Sequence, residues 1–374
     1  MLKILIVSVG KLSGGVESYT LTLGKLLENK GYEVHYVLRA NSWLDTKINT
    51  DKKLRVYMGR HIISDMIALK KYVNECNISI VHCNSNNGLF VSLLVKENNS
   101  CKKIGVIHGD VLVDQMSKGK FIANSYCKLE KWLINRHCSC CIAVSESIRH
   151  ILVERGVDNN KLEVVYTGIE LKKYDVLPDY YSDTLKICSI GYLRPVKNHM
   201  KLLEALNILK QEHPEVKVHC DIYGEGPERE KLKSYIDERN LKNITLKGYS
   251  NKVREVLNCY AVYVHPSQYE SFGIAVLEAM NAGCCVIVNP VGGMIEIVKD
   301  DGGYLTDCNN PGKLAEQLYR CYTNRTELEE KAFSGRKKCE DNFSTTSMTQ
   351  NITNLYKKCL VKKSEKNCSK EIEV

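Results

Sequence analysis

A short apolar run that ends in a loop and is followed by a helix-like pattern recurs along this chain. That repeat narrows the fold more than any other feature. Residues 2–9 are almost continuously apolar and run straight into Gly10-Lys11-Leu12-Ser13-Gly14-Gly15. Such a run lacks the in–out alternation of a half-exposed strand, so it predicts a parallel strand buried on both faces. A helical spacing follows through Tyr19, Leu23, Leu26 and Leu27. Further strands are predicted over 33–38, 78–82, 103–108, 141–144 and 162–165, with helices over 64–76, 89–95 and 117–136. Ser145-Glu146-Ser147 opens another helix in capping-box style. Repeated strand–helix units build an open parallel sheet whose ligands sit beyond the carboxyl ends of the strands. His82 and His108 fall at such ends.

After a gap the pattern starts again. Residues 171–184, with Pro178, Asp179, Tyr180, Tyr181 and Asp183, carry few apolar side chains and read as a connection between domains. A second set of strands is predicted over 185–191, 219–223, 244–248 and 260–264, and helices over 314–322, 326–338 and 345–360. The chain's 374 residues suit two domains. The expected division is therefore α/β twice, over 1–175 and 185–344, then a last helix over 345–360 and a polar, disordered tail over 361–374.

Composition excludes several classes. No apolar run approaches the roughly 18 residues that span a bilayer, and the apolar start has no small-residue cleavage site, so it reads as a buried strand rather than a leader. The 17 cysteines are scattered singly and odd in number, which predicts reduced thiols and a cytoplasmic setting. Cys138-Ser139-Cys140-Cys141 lacks the second pair a metal site needs, and no metal is expected. Net charge is +9, with 25 Lys and Arg against 18 Asp and Glu in residues 1–180. A basic first half suits an anionic partner such as a membrane face. Residues 117–136 mix Phe121, Ile122 and Trp132 with Lys118, Lys120, Lys128, Lys131 and Arg136, a pattern open to an interfacial helix or to a solvated one. A nucleic-acid reader would show a recognisable motif, and none is present.

The densest chemistry lies in His265-Pro266-Ser267-Gln268-Tyr269-Glu270-Ser271-Phe272-Gly273-Ile274, leading on to Glu278. Glu270 is expected in a loop and Glu278 about two turns into a helix, near the same face. The amides of Phe272 to Ile274, at a helix start opened by Ser271-Phe272-Gly273, suit an anion. The Gly14-Gly15 pair, where strand turns into helix, allows close backbone approach to phosphate, though its spacing fits neither the dinucleotide fingerprint nor a P-loop. Arg194 and Lys197, at a strand end ahead of a helix, would neutralise a diphosphate.

Taken in order, these motifs resemble the retaining glycosyltransferases of family 4, which have the GT-B fold. The resemblance rests on Gly14-Gly15-x-Glu17, His108-Gly109-Asp110, Gly191 with Lys197, Gly224-Glu225-Gly226-Pro227, Gly248-Tyr249, Glu270-x7-Glu278 and Gly292-Gly293. It implies two Rossmann-like domains facing across a cleft, with the final helix crossing back to the first. It implies a nucleotide-sugar donor held by Gly14, Gly15, Arg194, Lys197, Gly224, Gly248, Tyr249, Glu270, Phe272, Gly273, Ile274 and Glu278. His108, Glu270 and Lys197 become the candidate catalytic residues, with Glu278 on the ribose and no covalent nucleophile or cofactor. The reaction implied is transfer from a nucleotide-diphosphate sugar, a UDP-sugar above all, to a saccharide or polyprenyl-linked acceptor with retention, for capsule, exopolysaccharide or lipopolysaccharide. The protein would be cytoplasmic, with inner-leaflet contact through the basic first half. Tyr192 stands where the family carries Arg, which leaves open whether Arg194 replaces it. An epimerase, a phosphorylase or a non-catalytic carbohydrate-binding member of the same fold remain alternatives.

Overall fold

A computed structural model describes residues 1–361 other than 13, 60, 99 and 251, so residues 362–374 of the tail expected over 361–374 and Ser13 of the first glycine loop lie outside the described residues, while Val361 ends the last helix. The chain forms two units, residues 1–167 with 345 onward, and residues 168–344.

The first unit carries a seven-stranded sheet made of β1 (Lys3–Ser8), β2 (Glu33–Arg39), β3 (Lys53–Val56), β4 (Ile80–Asn84), β5 (Lys102–Ile107), β6 (Cys140–Ala143) and β7 (Leu162–Val164). Its order is β3-β2-β1-β4-β5-β6-β7 and each described pairing is parallel. Central strands have no solvent face: Ile4, Leu5, Ile6 and Val7 are fully buried. This is why they read as unbroken apolar runs. The edge strand β3 was hidden by its charges. Asp45 of the Trp43–Lys47 helix holds Lys53 at 3.0 Å and Arg55 at 2.9 Å, so the residues that made the segment look like loop tie it to that helix while its backbone pairs with β2.

The second unit repeats the design with β8 (Leu185–Ile190), β9 (Val218–Tyr223), β10 (Ile244–Gly248), β11 (Val262–His265), β12 (Cys285–Val288) and β13 (Tyr304–Leu305), in the order β10-β9-β8-β11-β12-β13. Described pairings are again parallel. Leu202, Leu206 and Leu209 of the His199–Glu212 helix and Leu314 and Leu318 of the Pro311–Thr323 helix join Ile187, Ile222, Val262 and Ile287 in its core.

Each sheet reverses its winding once, between β1 and β4 and between β8 and β11. At such a switch point the loops leaving the two strands diverge and open a crevice. Position alone therefore marks the loops after β1 and β8 and after β4 and β11.

Three boundaries differ from those the sequence suggests. The division falls between Thr167 and Gly168, ahead of the residue 175 expected. Residues 168–184 are tied to the second unit by bonds that composition does not reveal. Ile169 pairs with Ser344, the Lys172 amide donates to Asn281 Oδ1 at 2.8 Å, and Tyr180 Oη donates to the Gly283 carbonyl at 2.5 Å. The helix expected over 89–95 runs Ser85–Val91, because the chain turns at once after β4 through Ser85, whose φ is +64°. Gly88 makes that turn possible, since a Cβ there would lie 2.9 Å from the Val7 carbonyl. The helix expected to open at Ser271 begins at Ile274.

The Thr345–Val361 helix belongs with the first unit and packs on the Gly15–Asn29 helix. Tyr356 Oη bonds the Nδ1 of buried His82 at 2.8 Å, and Tyr19 Oη bonds its Nε2 at 3.4 Å. Burial, with some repulsion from His108, drives the His82 pKa down to about 3. His82 is thus a neutral polar joint at the centre of the unit.

Candidate active site

In the second unit the loop after β8 contains the Pro195–Lys197 turn, closed by Asn198 in the left-handed region at φ +60°. Asparagine tolerates that conformation better than most residues. Its side-chain amide donates to the Pro266 carbonyl at 3.2 Å, and the Gln268 amide donates to the Val196 carbonyl at 2.8 Å. These bonds join the loops after β8 and β11, and they carry Lys197 Nζ to 2.5 Å from Glu270 Oε2.

Glu270 has a second partner. His265, at the end of β11, places Nε2 at 3.1 Å from the same carboxylate oxygen and from Ser267 Oγ, while its Nδ1 lies 3.0 Å from Tyr263 Oη. Burial lowers the His265 pKa despite the opposing pull of Glu270, so the ring is neutral. A neutral ring that donates from Nε2 must accept at Nδ1, which the Tyr263 hydroxyl satisfies. Burial raises the Glu270 carboxyl, but the hydrogen bond from His265 and the Lys197 charge outweigh it, and its pKa falls to about 2. Glu270 is an ionised, oriented acceptor.

The sign of that shift gives a stability prediction. The folded value lies below the ordinary 4.5, so the stabilisation is present above pH 4.5 and is lost as pH falls toward 2. It is of the order of 3 kcal/mol when complete. Melting temperatures followed from pH 5 to pH 3 should drop more steeply for the wild type than for Glu270→Gln. Parallel curves would mean that the carboxylate is not held as described.

Glu278 sits in the second turn of the Ile274–Asn281 helix with Arg254 Nε at 3.4 Å from its Oε1. Burial raises its pKa, opposed by Arg254. The two acids therefore owe their placement to different causes, Glu270 to loop bonds and Glu278 to the helix. Burial above all raises the pKa of the Tyr263 hydroxyl, and the charges of both acids add to it. Gly273 caps the helix at φ +109°, leaving the Ile274 and Ala275 amides at a helix start without intrahelical partners. The Phe272 side chain turns inward, 4% exposed, with its ring 5.8 Å from Phe343, so it serves packing.

Beside this lies a cavity of about 390 Å³ lined by Ile190, Gly191, Tyr192, Tyr223, Gly224 and Tyr249 among others. Gly224 donates its amide to the Gly248 carbonyl at 2.9 Å, and a Cβ on Gly224 would overlap the Gly191 carbonyl. Glycine here lets three loops meet. Tyr192 lines the cavity, whereas Arg194 is exposed and its guanidinium makes no hydrogen bond or ion pair among the described residues.

The remaining candidates belong to the first unit. Gly14 precedes the Gly15–Asn29 helix in an extended conformation. Glu17 folds back against this loop, and a Cβ on Gly10 would overlap its carboxylate. The glycines thus make room for Glu17 as well as for any ligand. His108 follows β5 with its ring 4.8 Å from Tyr19, edge to face, and its Nε2 is buried without a partner among the described residues. Burial lowers its pKa to about 4. Cys138 and Cys141 are buried, and burial raises both thiols far from a reactive state.

Sequence reading did not single out His265, Tyr263, Ser267 or Arg254 as site residues. The alternation Tyr263-x-His265-x-Ser267 leaving a strand was the available signal, because period two places them on one side. Arg254 had none, since it meets Glu278 only through tertiary folding.

Comparison with known proteins places this geometry. Residues 178–338 match the family model "Glycosyl transferases group 1", and residues 13–173 match "Glycosyltransferase Family 4". A poly(ribitol-phosphate) alpha-N-acetylglucosaminyltransferase of Staphylococcus aureus is 25% identical over 340 residues, 87% of this chain and 66% of its own length. A UDP-Gal:alpha-D-GlcNAc-diphosphoundecaprenol alpha-1,3-galactosyltransferase of Escherichia coli is 24% identical over 387 residues, 97% of this chain and 98% of its own. Among solved structures, Anabaena HepE in complex with UDP-glucose superposes with a TM-score of 0.77 at 18% identity, covering 96% of this chain and 100% of that one.

Proposed function

The chain belongs to the group 1, family 4 glycosyltransferases and has their GT-B fold, and on that premise we propose that it transfers a sugar from a UDP-sugar to a lipid-linked or polymeric saccharide with retention of configuration. The observation that carries the reading is the Lys197–Glu270 pair at the switch point of the second sheet, beside an open helix start.

Each part has a chemical task. Lys197 has three N–H donors and spends one on Glu270, so its ammonium is held in place with donors left for a diphosphate. Fixed positive charge and helix-start amides stabilise the leaving nucleoside diphosphate as its charge develops, commonly the largest catalytic term. Glu270, ionised and backed by His265, accepts from sugar hydroxyls. Glu278 accepts from the ribose. The tyrosine-lined cavity takes the base, and His108 is assigned to the acceptor side. The relatives named for lipid-linked and polyol-phosphate acceptors support a cell-surface polysaccharide as the product. No helix among the described residues is long and apolar enough to cross a membrane.

The test is a melting screen against UDP-, GDP- and ADP-sugars, in wild type and Glu278→Ala. A ligand at a hundred times its Kd stabilises by about 2.7 kcal/mol, several degrees for a protein of this size. A shift with UDP-sugars alone, abolished in Glu278→Ala, is expected, and no shift with any sugar nucleotide would overturn the reading. The anomeric configuration of the product by NMR decides retention. In the same screen Tyr249→Ala should weaken UDP about tenfold, since loss of one ring stacked on a base costs about 1–3 kcal/mol. An unchanged UDP affinity would take Tyr249 out of the base site.

A further inference from the structure

Glu278 needs more than its place on a helix if it is to hold a ribose. Half-buried on the Ile274–Asn281 helix, its carboxylate meets the Arg254 side chain of the short Val253–Val256 helix. Arg254 Nε lies 3.4 Å from Glu278 Oε1, yet it is buried and makes no hydrogen bond among the described residues. The contact is electrostatic: it supplies charge and leaves carboxylate lone pairs for a ligand.

The arginine is itself gripped at both ends. Its Nη2 donates to the Glu170 carbonyl, and its own carbonyl accepts from Tyr174 Oη at 2.5 Å. Between these, the Lys172 amide donates at 2.8 Å to Oδ1 of buried Asn281, on the helix that carries Glu278. Residues 170–174 therefore bridge the helix of the acid and the helix of the arginine. Val253, next to Arg254, lines the cavity assigned to the base. A tie for residues 170–174 alone would need only the Nη2 bond, but the guanidinium also sets Nε against the carboxylate.

The chemistry of a vicinal diol explains what this arrangement supplies. Two O–H donors suit an ionised carboxylate, which accepts both, whereas a protonated carboxyl turns one of its oxygens into a donor. Burial raises the Glu278 pKa toward that protonated form, and Arg254 opposes the rise. We propose that Arg254 is a positioning residue that holds the Glu278 carboxylate ready to accept both hydroxyls of the donor's ribose, and so makes the site select ribonucleotides. The proposal rests on the reading of Glu278 as the ribose acceptor, and its test separates failure of the one from failure of the other.

The experiment is calorimetric titration of the full chain with UDP and with 2′,3′-dideoxy-UDP, which lacks both hydroxyls. Wild type should prefer UDP about thirtyfold or more, since hydrogen bonds to a charged acceptor are strong. Glu278→Ala should bring that preference to about twofold or less. Arg254→Ala should cut it to about threefold, with the affinity for dideoxy-UDP within about twofold of wild type. Arg254→Gln keeps a donor for the Glu170 carbonyl but no charge; it should do the same, and it serves if the alanine variant does not fold. Adding Arg254→Gln to Glu278→Ala should cost nothing further, because the two residues act as a unit. Tyr174→Phe is the structural control. It unties the same stretch without touching guanidinium or carboxylate, so it should lower the melting temperature and keep the preference for UDP. A preference lost in Glu278→Ala but kept in the arginine variants would overturn the proposal and leave the ribose reading standing. So would a preference that Tyr174→Phe lowers as far as Arg254→Gln does, since Arg254 would then be only a tie. A preference untouched by Glu278→Ala would overturn the ribose reading, and the proposal with it.

Discussion

Lys197→Ala should lower kcat for sugar transfer by two to three orders of magnitude while leaving the melting temperature within a few degrees of wild type. Removing one fixed donor from a developing anion costs about 2.7–4 kcal/mol in the transition state. Ground-state binding of the nucleotide should fall far less, because a diphosphate is already partly solvated and keeps its amide partners. Glu270→Ala should be as damaging to kcat by a different route, since it releases the ammonium from its 2.5 Å anchor and removes the acceptor proposed for sugar hydroxyls. The double variant should then lose much less than the product of the two single losses, because residues that act as a unit are not additive. Steady-state kinetics with a UDP-sugar and a lipid-linked acceptor measure all three. A Lys197→Ala enzyme within threefold of wild-type kcat would remove the lysine from the reaction, and fully multiplicative losses would mean that the two residues act apart.

Fold and site were not equally legible in the sequence. The central strands could be read directly because burial on both faces leaves no polar position to blur the run. Edge strand β3 could not, since half of it is charged and those charges meet Asp45 of another segment. Residues 171–184 looked like a linker because their ties to the second unit are made by single side chains such as Tyr180 and Asn281, which composition does not register. In the site, Lys197 and Glu270 were each visible as types in suitable places, but their contact is fixed by Asn198 and by the Gln268 backbone. Tertiary bonds of that kind, like Arg254 on Glu278, leave no local pattern.

Gly292→Ala should lower the melting temperature by about 10 °C or more and should cost activity beyond what instability explains. Gly292 has φ +52°, and a Cβ there would overlap the carbonyl oxygen of Glu270, while a Cβ on the neighbouring Gly293 would lie 2.8 Å from Phe272 Cα. Backbone cannot swing aside as a side chain can, so the loop carrying Glu270 must move. Gly31→Ala separates the two causes of instability, because Gly31 has φ +82° and a Cβ there would meet nothing within 4 Å. That substitution should cost only the left-handed penalty, about 1–2 kcal/mol, or a few degrees, with kcat unchanged. For Gly292 the same penalty is joined by overlap with backbone, bringing the sum to about 4 kcal/mol or more. Moving Glu270 by even 1 Å parts it from Lys197 and His265, and misplacement on that scale can cost two orders of magnitude in rate. If Gly292→Ala behaved like Gly31→Ala in both melting and kcat, the close approach of the two loops would not be what holds Glu270 in position. A large loss of stability with normal kcat in the folded fraction would show that the loop relaxes without moving the carboxylate.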